Sequence, residues 1–302
     1  MHGLSVPLTI PQAPHFDDRS GLAYHEFGDR DGDRLLLFNH GWPSAGSQGG
    51  LLNVAGRELG IRILAPNRPG IGGSRPHSGN RGFSDWPELV SEFFEGVGVG
   101  DREVSTLGMS GGGPYALALA HGLGSRFQHI GVVCGAGEMA ESIEDVVLPY
   151  RVLGGLHRRA PWSLGAMLKV SELAMRLPGV GSNSRLAHTV ANLPKRDREA
   201  LCSPEMMHAV AASFSESMSG PARGVVADGG LYLTPWDFDP SEIDVPVRFW
   251  HGRLDKNITP RFAEALAEKI PTASIDWFDE EGHYSLPGLQ IGSILKAMFE
   301  QD

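Results

Sequence analysis

Three side chains of the kinds used in nucleophilic catalysis occur in the order serine, aspartate, histidine, each shortly after a run of residues that favours a β-strand. Ser110 lies in the sequence Gly-Met-Ser-Gly-Gly at 108–112, between a strand-like run at 103–107 and a helix-like run at 113–122. Glycines at a strand-to-helix turn permit the tight bend that lifts a hydroxyl out of the backbone. The pattern therefore predicts Ser110 as a nucleophile.

A serine hydroxyl is a poor nucleophile at neutral pH, so it requires a neighbouring base and a third group that orients the base. His283 follows the last predicted strand, and Asp255 follows the strand before it. Ligands of open α/β sheets bind at the carboxyl ends of the strands, where both loops are expected to lie. We predict His283 as the base and Asp255 as the acid that orients it.

Acyl transfer also needs hydrogen-bond donors for the charge that develops on a carbonyl oxygen. The backbone N–H of Gly111 follows the nucleophile directly and opens a helix, whose dipole adds positive potential. A second donor should come from the loop after an earlier strand, and His-Gly-Trp-Pro at 40–43 follows the strand-like run at 35–39. We assign this oxyanion hole to the N–H groups of Trp42 and Gly111, and expect His40 to brace the loop.

Strand-like and helix-like runs alternate along the chain, which predicts an α/β fold with a mostly parallel, doubly wound sheet covered on both faces. The strand-like runs at 21–27 and 35–39 flank an Asp-Gly turn, so we expect a β-hairpin there. A long section with helical periodicity interrupts the alternation. The predicted organisation is a core domain of residues 1–137 and 233–302 with an inserted helical cap at 138–232.

The predicted cap carries apolar side chains that are candidates for a substrate pocket: Trp162, Leu164, Met167 and Leu168. Apolar residues at helical spacing are equally expected where a helix packs against a core. Both interpretations stay open for these four residues.

Composition narrows the range of partners. The chain has 302 residues and a formal net charge of −10, and no cluster of Lys or Arg forms the basic stripe of a nucleic-acid interface. No apolar run is long enough to span a bilayer. Only two cysteines occur, at 134 and 202, and the N-terminus has no secretory signal, so we expect a reducing cytoplasm. We expect a small-molecule partner and predict no metal and no cofactor.

The motifs together resemble the α/β-hydrolase superfamily, in its cap-bearing esterase, lipase and cofactor-free perhydrolase branch, over nearly the whole chain. The resemblance is carried by the segments at 40–43, 67–74, 108–116, 252–255 and 282–283.

Similar proteins usually have Asp where this chain has Asn67, a difference in a structural loop. In some relatives the acid follows an earlier strand, which would here implicate Glu138 in place of Asp255. Relatives that remove halide or open epoxides carry a carboxylate nucleophile, so the serine at 110 disfavours those activities.

The resemblance and the triad pattern predict a serine hydrolase that acts on a carboxylic ester with a small to medium, mostly apolar structure, through an acyl-enzyme intermediate. A C–C bond hydrolase, a lactonase or a perhydrolase would use the same residues and stays open. A non-catalytic small-molecule receptor on the same fold is the alternative from another class.

Overall fold

The computed structural model describes residues 13–76, 82–140, 148–175 and 193–300. Its sheet has eight strands in the order β1-β2-β4-β3-β5-β6-β7-β8. Strands β3 to β8 are parallel to one another, and β1 and β2 form an antiparallel edge next to β4. The strands are β1 (His15–Phe16), β2 (Ala23–Gly28), β3 (Arg34–Asn39), β4 (Ile61–Pro66), β5 (Val104–Met109), β6 (Phe127–Val133), β7 (Val247–Gly252) and β8 (Ala273–Phe278).

The predicted hairpin between 21–27 and 35–39 is wrong. β4 lies between β2 and β3, antiparallel to the first and parallel to the second. The Asp29 N–H at the end of β2 donates to the carbonyl of Ile61, the first residue of β4. The Asp-Gly turn reverses the chain, but β4, which is apolar except for Arg62, lies between the two strands and forms a ladder of hydrogen bonds with each.

Helices cover both faces of the sheet. The helices that pack on it are α1 (Asn53–Glu58), α2 (Trp86–Gly96), α3 (Gly113–Leu123), α9 (Pro260–Lys269) and α10 (Ser285–Phe299). Strand β3 shows the two-residue alternation that this layering requires, since Leu35 and Leu37 pack with α2 and α3 while Leu36 and Phe38 pack with α1 and α10. The structure therefore has the mostly parallel, doubly wound sheet that the sequence predicts.

Further helices lie between β6 and β7. In the described part of this segment they are α4 (Leu148–Arg159), α5 (Pro161–Met175), α6 (Lys195–Leu201), α7 (Pro204–Ser217) and α8 (Arg223–Leu231), here called the inserted helices. Leu164 and Leu168 of α5 pack against Val225 and Val226 of α8, in a cluster that reaches Ile71 beside the sheet. The division into a core and a cap at 138–232 remains our proposal.

None of the helices in the described ranges combines the length and the apolar character needed to cross a membrane.

Candidate active site

The turn after β5 holds Ser110 in a backbone conformation that few side chains adopt. Its φ of +53° lies in the left-handed region. The glycines on either side are required by contact, because a Cβ at Gly108 would lie 2.4 Å from the carbonyl oxygen of Gly112, and one at Gly112 would lie 2.0 Å from that of Asn39. The motif therefore forms the tight strand-to-helix turn, and Ser110 is half-buried at its apex.

The three side chains that the sequence singled out meet at the carboxyl edge of the sheet. His283 Nε2 lies 3.0 Å from Ser110 Oγ, and His283 Nδ1 lies 2.8 Å from Asp255 Oδ2. Asp255 and His283 are both buried. The result is a continuous hydrogen-bonded chain from carboxylate to imidazole to hydroxyl.

Asp255 is fixed by its own loop. Its Oδ1 accepts the backbone N–H groups of Asn257 and Ile258, each at 2.8 Å, which leaves Oδ2 for the imidazole. Glu138, the other acid considered, instead forms an ion pair with Lys269. Of the two carboxylates, Asp255 is the one that contacts His283.

The carboxylate changes the basicity of the imidazole. Burial alone would lower the pKa of His283, but the charge of Asp255 and the hydrogen bond to it raise that pKa above the ordinary histidine value. The second histidine near Asp255, His251, has a lowered pKa because burial dominates there. Of these two, His283 is the stronger base, and it is the one that faces the hydroxyl.

A buried thiol lies beside the same pair. Cys134 Sγ, an Asp255 oxygen and a His283 nitrogen all lie within 4.8 Å of one another, so these groups are possible metal ligands. Burial and the nearby Asp255 charge raise the pKa of the Cys134 thiol well above its usual value, which opposes the thiolate that a metal would need. The 2.8 Å contact between Asp255 and His283 is that of a direct hydrogen bond.

The backbone N–H groups proposed for the oxyanion hole are oriented by hydrogen bonds on the far side of their own peptide units. Arg68 Nη2 donates to the carbonyl of Gly41 at 2.8 Å, and Ala136 N–H donates to the carbonyl of Ser110 at 2.9 Å. In a trans peptide the N–H points opposite to the C=O, so the N–H groups of Trp42 and Gly111 point the other way.

The two peptide units are also in contact. A Cβ built at Gly111 would lie 2.9 Å from the Trp42 nitrogen, so no larger residue fits there without a shift.

The loop that carries Trp42 is braced by buried polar groups. Arg68 is fully buried, pairs with Asp228 of α8 at 2.8 Å, and also donates to the carbonyl of His40. His40 accepts the Arg68 backbone N–H at its Nε2 and contacts the Gly41 carbonyl through Nδ1. His40 therefore has bracing contacts of the kind that the sequence suggested.

Two cavities meet at Ser110. The smaller, of about 40 Å³, is lined mostly by apolar groups and includes Gly111, Leu153, Leu164 and Tyr232. The larger, of about 250 Å³, includes His283, Tyr284 and Val210 among its lining residues. Ser110 and Trp42 line both. We call them the small cavity and the large cavity.

The cap residues expected in a pocket divide by helix face. Leu164 is buried and lines the small cavity, and Leu168 is buried in the cluster beside it. Trp162 is 78% exposed and Met167 is 38% exposed, and neither lines the small or the large cavity. Helical geometry explains the difference, since residues 164 and 168 are one turn apart and face inward, while 162 lies on the opposite side of the helix and 167 at its flank. The proposed substrate site therefore does not include Trp162 and Met167.

Several residues that position the site were not found in the sequence: Asp197, Glu216, Asp228 and Tyr232. Each lies on or at the end of an inserted helix and acts on a loop more than 80 residues away, as Asp197 does on the His283 loop and Tyr232 on the Gly111 carbonyl. No local motif marks them. An acidic residue on a helix, or a tyrosine at the end of one, does not by itself indicate its partner in the fold.

A sequence profile and solved structures show which known proteins this chain resembles. The sequence profile described as the Alpha/beta hydrolase family matches residues 35–290, so the chain belongs to that family. No curated protein matches it.

Solved structures show the same fold at low sequence identity. An alpha/beta hydrolase fold protein from Nakamurella multipartita has a TM-score of 0.62 and 20% identity, over 91% of this chain and 93% of that one. An esterase from Exiguobacterium antarcticum has a TM-score of 0.64 and 16% identity, over 95% and 98%. The enol-lactonase from Burkholderia xenovorans LB400 has a TM-score of 0.63 and 16% identity, over 96% and 100%.

Proposed function

We propose that this protein is a serine hydrolase that cleaves carboxylic esters through an acyl-enzyme intermediate. The observation that carries the proposal is the hydrogen-bonded chain in which Asp255 contacts His283 at 2.8 Å and His283 contacts Ser110 at 3.0 Å. That arrangement, at the apex of a strained turn, is suited to activating a hydroxyl that is inert in water.

Each residue has one part in the reaction. Ser110 Oγ attacks the ester carbonyl carbon while His283 Nε2 takes the hydroxyl proton, and the N–H groups of Trp42 and Gly111 stabilise the resulting oxyanion. The imidazolium returns that proton to the leaving alkoxide, and the C–O bond breaks. Water, deprotonated by His283, then releases the acid and restores the serine. Asp255 holds the tautomer with the Nδ1 proton facing it and stabilises the imidazolium.

The small cavity supports an apolar substrate, because its lining is largely apolar. A lactone is a cyclic ester and would pass through the same steps, so lactone hydrolysis is the second candidate activity. The structural likeness to an enol-lactonase is the observation that favours testing it.

The test is covalent labelling with a fluorophosphonate, which reacts with an activated serine. We expect labelling of the wild type at Ser110 and none of Ser110→Ala. Ser44→Ala is the control, because Ser44 lines the large cavity without contacting the imidazole. A folded wild type that takes no label would favour the receptor alternative.

A substrate panel then identifies the bond that is cleaved. We expect hydrolysis of p-nitrophenyl esters and of simple lactones, and neither cleavage of a β-diketone nor peroxide-dependent halogenation. Activity in either of the last two assays without ester hydrolysis would replace the ester assignment by C–C bond hydrolysis or perhydrolysis.

A reducing cytoplasmic location belongs to the same proposal. Cys134 and Cys202 are both free thiols, the first buried and the second exposed, as expected where disulfides do not form.

A further inference from the structure

The reaction chemistry fixes which part of an ester enters which cavity. His283 Nε2 must reach the leaving oxygen to protonate it, so the alcohol portion lies on the side of His283. The carbonyl oxygen points to the N–H groups of Trp42 and Gly111, so the acyl chain takes the remaining direction. His283 and Tyr284 line the large cavity, and Gly111 and Leu164 line the small cavity.

The sizes of the two cavities differ about sixfold, from about 250 to about 40 Å³. The small cavity therefore suits the smaller part of an ester. Tyr232 and Leu164, which both line it, are buried and belong to hydrophobic clusters. The large cavity accommodates a ring-sized group.

We propose, on the basis of the proposed function, that the substrates of this enzyme are esters of a short acyl group with a bulky alcohol. The acyl group occupies the small cavity and the alcohol occupies the large cavity. The reverse arrangement, a long or aromatic acid esterified to a small alcohol, is a poor substrate.

Two isomeric esters test this assignment directly. Benzyl acetate and methyl phenylacetate contain the same atoms and differ only in which side of the ester carries the ring, and their leaving alcohols have similar acidity. We expect kcat/KM for benzyl acetate to exceed that for methyl phenylacetate by at least about tenfold, the scale on which pocket size discriminates substrates.

Two substitutions should move the two rates separately. Leu153 is half-buried and lines the small cavity, so Leu153→Ala should raise kcat/KM for methyl phenylacetate. Val210 lines the large cavity, so Val210→Trp should lower kcat/KM for benzyl acetate and leave methyl phenylacetate nearly unchanged. Val152→Ala is the matched control for Leu153→Ala. Val152 lies on the same helix as Leu153, is 54% exposed and lines neither cavity.

The outcomes separate this inference from the proposed function. Absence of fluorophosphonate labelling would end the proposed function itself. A labelled enzyme that hydrolyses p-nitrophenyl acetate overturns the cavity assignment if it prefers methyl phenylacetate, treats both isomers equally, or hydrolyses neither isomer.

A second inference rests on a different observation, a buried carboxylate that accepts hydrogen bonds from the His283 loop. Asp197 of α6 is fully buried, and its oxygens accept the backbone N–H groups of His283 at 3.1 Å, Tyr284 at 3.0 Å and Ser285 at 2.9 Å. These N–H groups open helix α10, where a negative charge is also favoured by the helix dipole.

The adjacent residue on α6 also contacts this loop. Arg196 donates to both oxygens of Glu281, at 2.6 and 3.1 Å, and Glu281 is itself buried. The spacing is tight, since a Cβ at Gly282 would lie 2.3 Å from an Asp197 oxygen. One short inserted helix thus clamps residues 281–285 by two opposite charges.

We infer that Asp197 is a positioning residue for catalysis, which holds the imidazole against Ser110. The Asp197 charge acts in the direction that raises the pKa of His283, as the Asp255 charge does. The clamp makes the correct placement of the base depend on the inserted helices.

Asp197→Asn tests this through the pH dependence of kcat/KM. Loss of the charge lowers the pKa of His283, so the acidic limb of the profile should move to lower pH. An amide nitrogen facing the His283 N–H also disturbs the loop, so kcat should fall by roughly tenfold while KM changes little.

Asp237→Asn is the control. Asp237 also accepts backbone N–H groups of a loop, those of Phe83 and Ser84, but lies away from the imidazole. We expect it to lower the melting temperature without moving the pH profile. If Asp197→Asn does not fold, Asp197→Glu keeps the charge and should reduce kcat without moving the acidic limb. A lowered melting temperature with unchanged kcat and pH profile in the Asp197 variant would reduce Asp197 to a structural role.

Discussion

At the scale of single residues, Asp255 has two functions divided between its two oxygens. Oδ1 shapes the loop by accepting the N–H groups of Asn257 and Ile258, and Oδ2 contacts the imidazole. Replacement by asparagine keeps an acceptor for the loop and removes the charge next to His283. The loop and the proposed catalytic function can therefore be separated by one substitution.

We predict that Asp255→Asn lowers kcat/KM by about 10³- to 10⁴-fold, because the amide favours the wrong imidazole tautomer. The acidic limb of whatever activity remains should shift to lower pH, since the charge of Asp255 raises the pKa of His283. Steady-state kinetics over pH 5 to 9 would measure both effects.

Glu138→Gln is the control, because Glu138 is the alternative triad acid, the one that follows an earlier strand. It breaks the ion pair with Lys269 and should leave kcat/KM within about twofold. If Glu138→Gln lost activity and Asp255→Asn kept it, the acid would have to be reassigned.

Ser110, His283 and Asp255 could be found in the sequence because each follows a strand in a short, recognisable segment. Asp197 could not, because its partners are backbone N–H groups of a loop 86 to 88 residues away and no local pattern marks them. Trp162 and Met167 were candidates on apolarity alone, and apolarity does not specify which side of a helix faces the core.

At the scale of elements, the runs predicted on either side of Ser110 agree with the observed strand and helix. The runs at 103–107 and 113–122 correspond to β5 (Val104–Met109) and α3 (Gly113–Leu123). Strand β1 was missed, because two exposed residues carry no alternation. The predicted hairpin does not form because strands compete for partners, and the mostly buried β4 pairs with both β2 and β3.

The loop after β4 explains the one departure from the family pattern. Asn67, where similar proteins usually have Asp, donates its amide to Glu216 of α7 at 2.9 Å and to the carbonyl of Gly72 at 2.8 Å. Burial alone would raise the pKa of Glu216, but hydrogen bonds from His25, Ser47 and Asn67 lower it below the ordinary value. An aspartate at 67 would place a second carboxylate against this one.

We predict that Asn67→Asp destabilises the fold by about 2 kcal/mol at pH 7, because it replaces a buried hydrogen bond by like charges. Repulsion raises the pKa of one carboxylate in the folded state above its unfolded value, so the lost stability should return as the pH falls toward 5. Urea unfolding at the two pH values would measure the difference.

Asn67→Asp combined with Glu216→Gln restores an amide–carboxylate pair with the partners exchanged. The double variant should recover most of the stability at pH 7. Equal stability of Asn67→Asp and the wild type at both pH values would show that the 2.9 Å contact contributes nothing.

At the scale of the whole molecule, three successive inserted helices each direct one carboxylate toward residues of the sheet or of its loops. Asp197 of α6 holds the His283 loop, and Glu216 of α7 bonds to Asn67 and His25. Asp228 of α8 pairs with Arg68, which in turn holds the loop of Trp42. Removing one partner of a buried ion pair or charged hydrogen bond leaves the other uncompensated, so each of these anchors is costly to lose.

This triple anchorage has a consequence for recombination with other members of the family. Residues 193–231 cannot be transplanted as an independent module, because a donor lacking the acidic side chains would leave Arg68 buried without its counter-ion and the amides at 283–285 buried without the carboxylate that accepts them. A chimera that keeps these acids at 197, 216 and 228 and varies the residues between them offers the better starting point for altering selectivity.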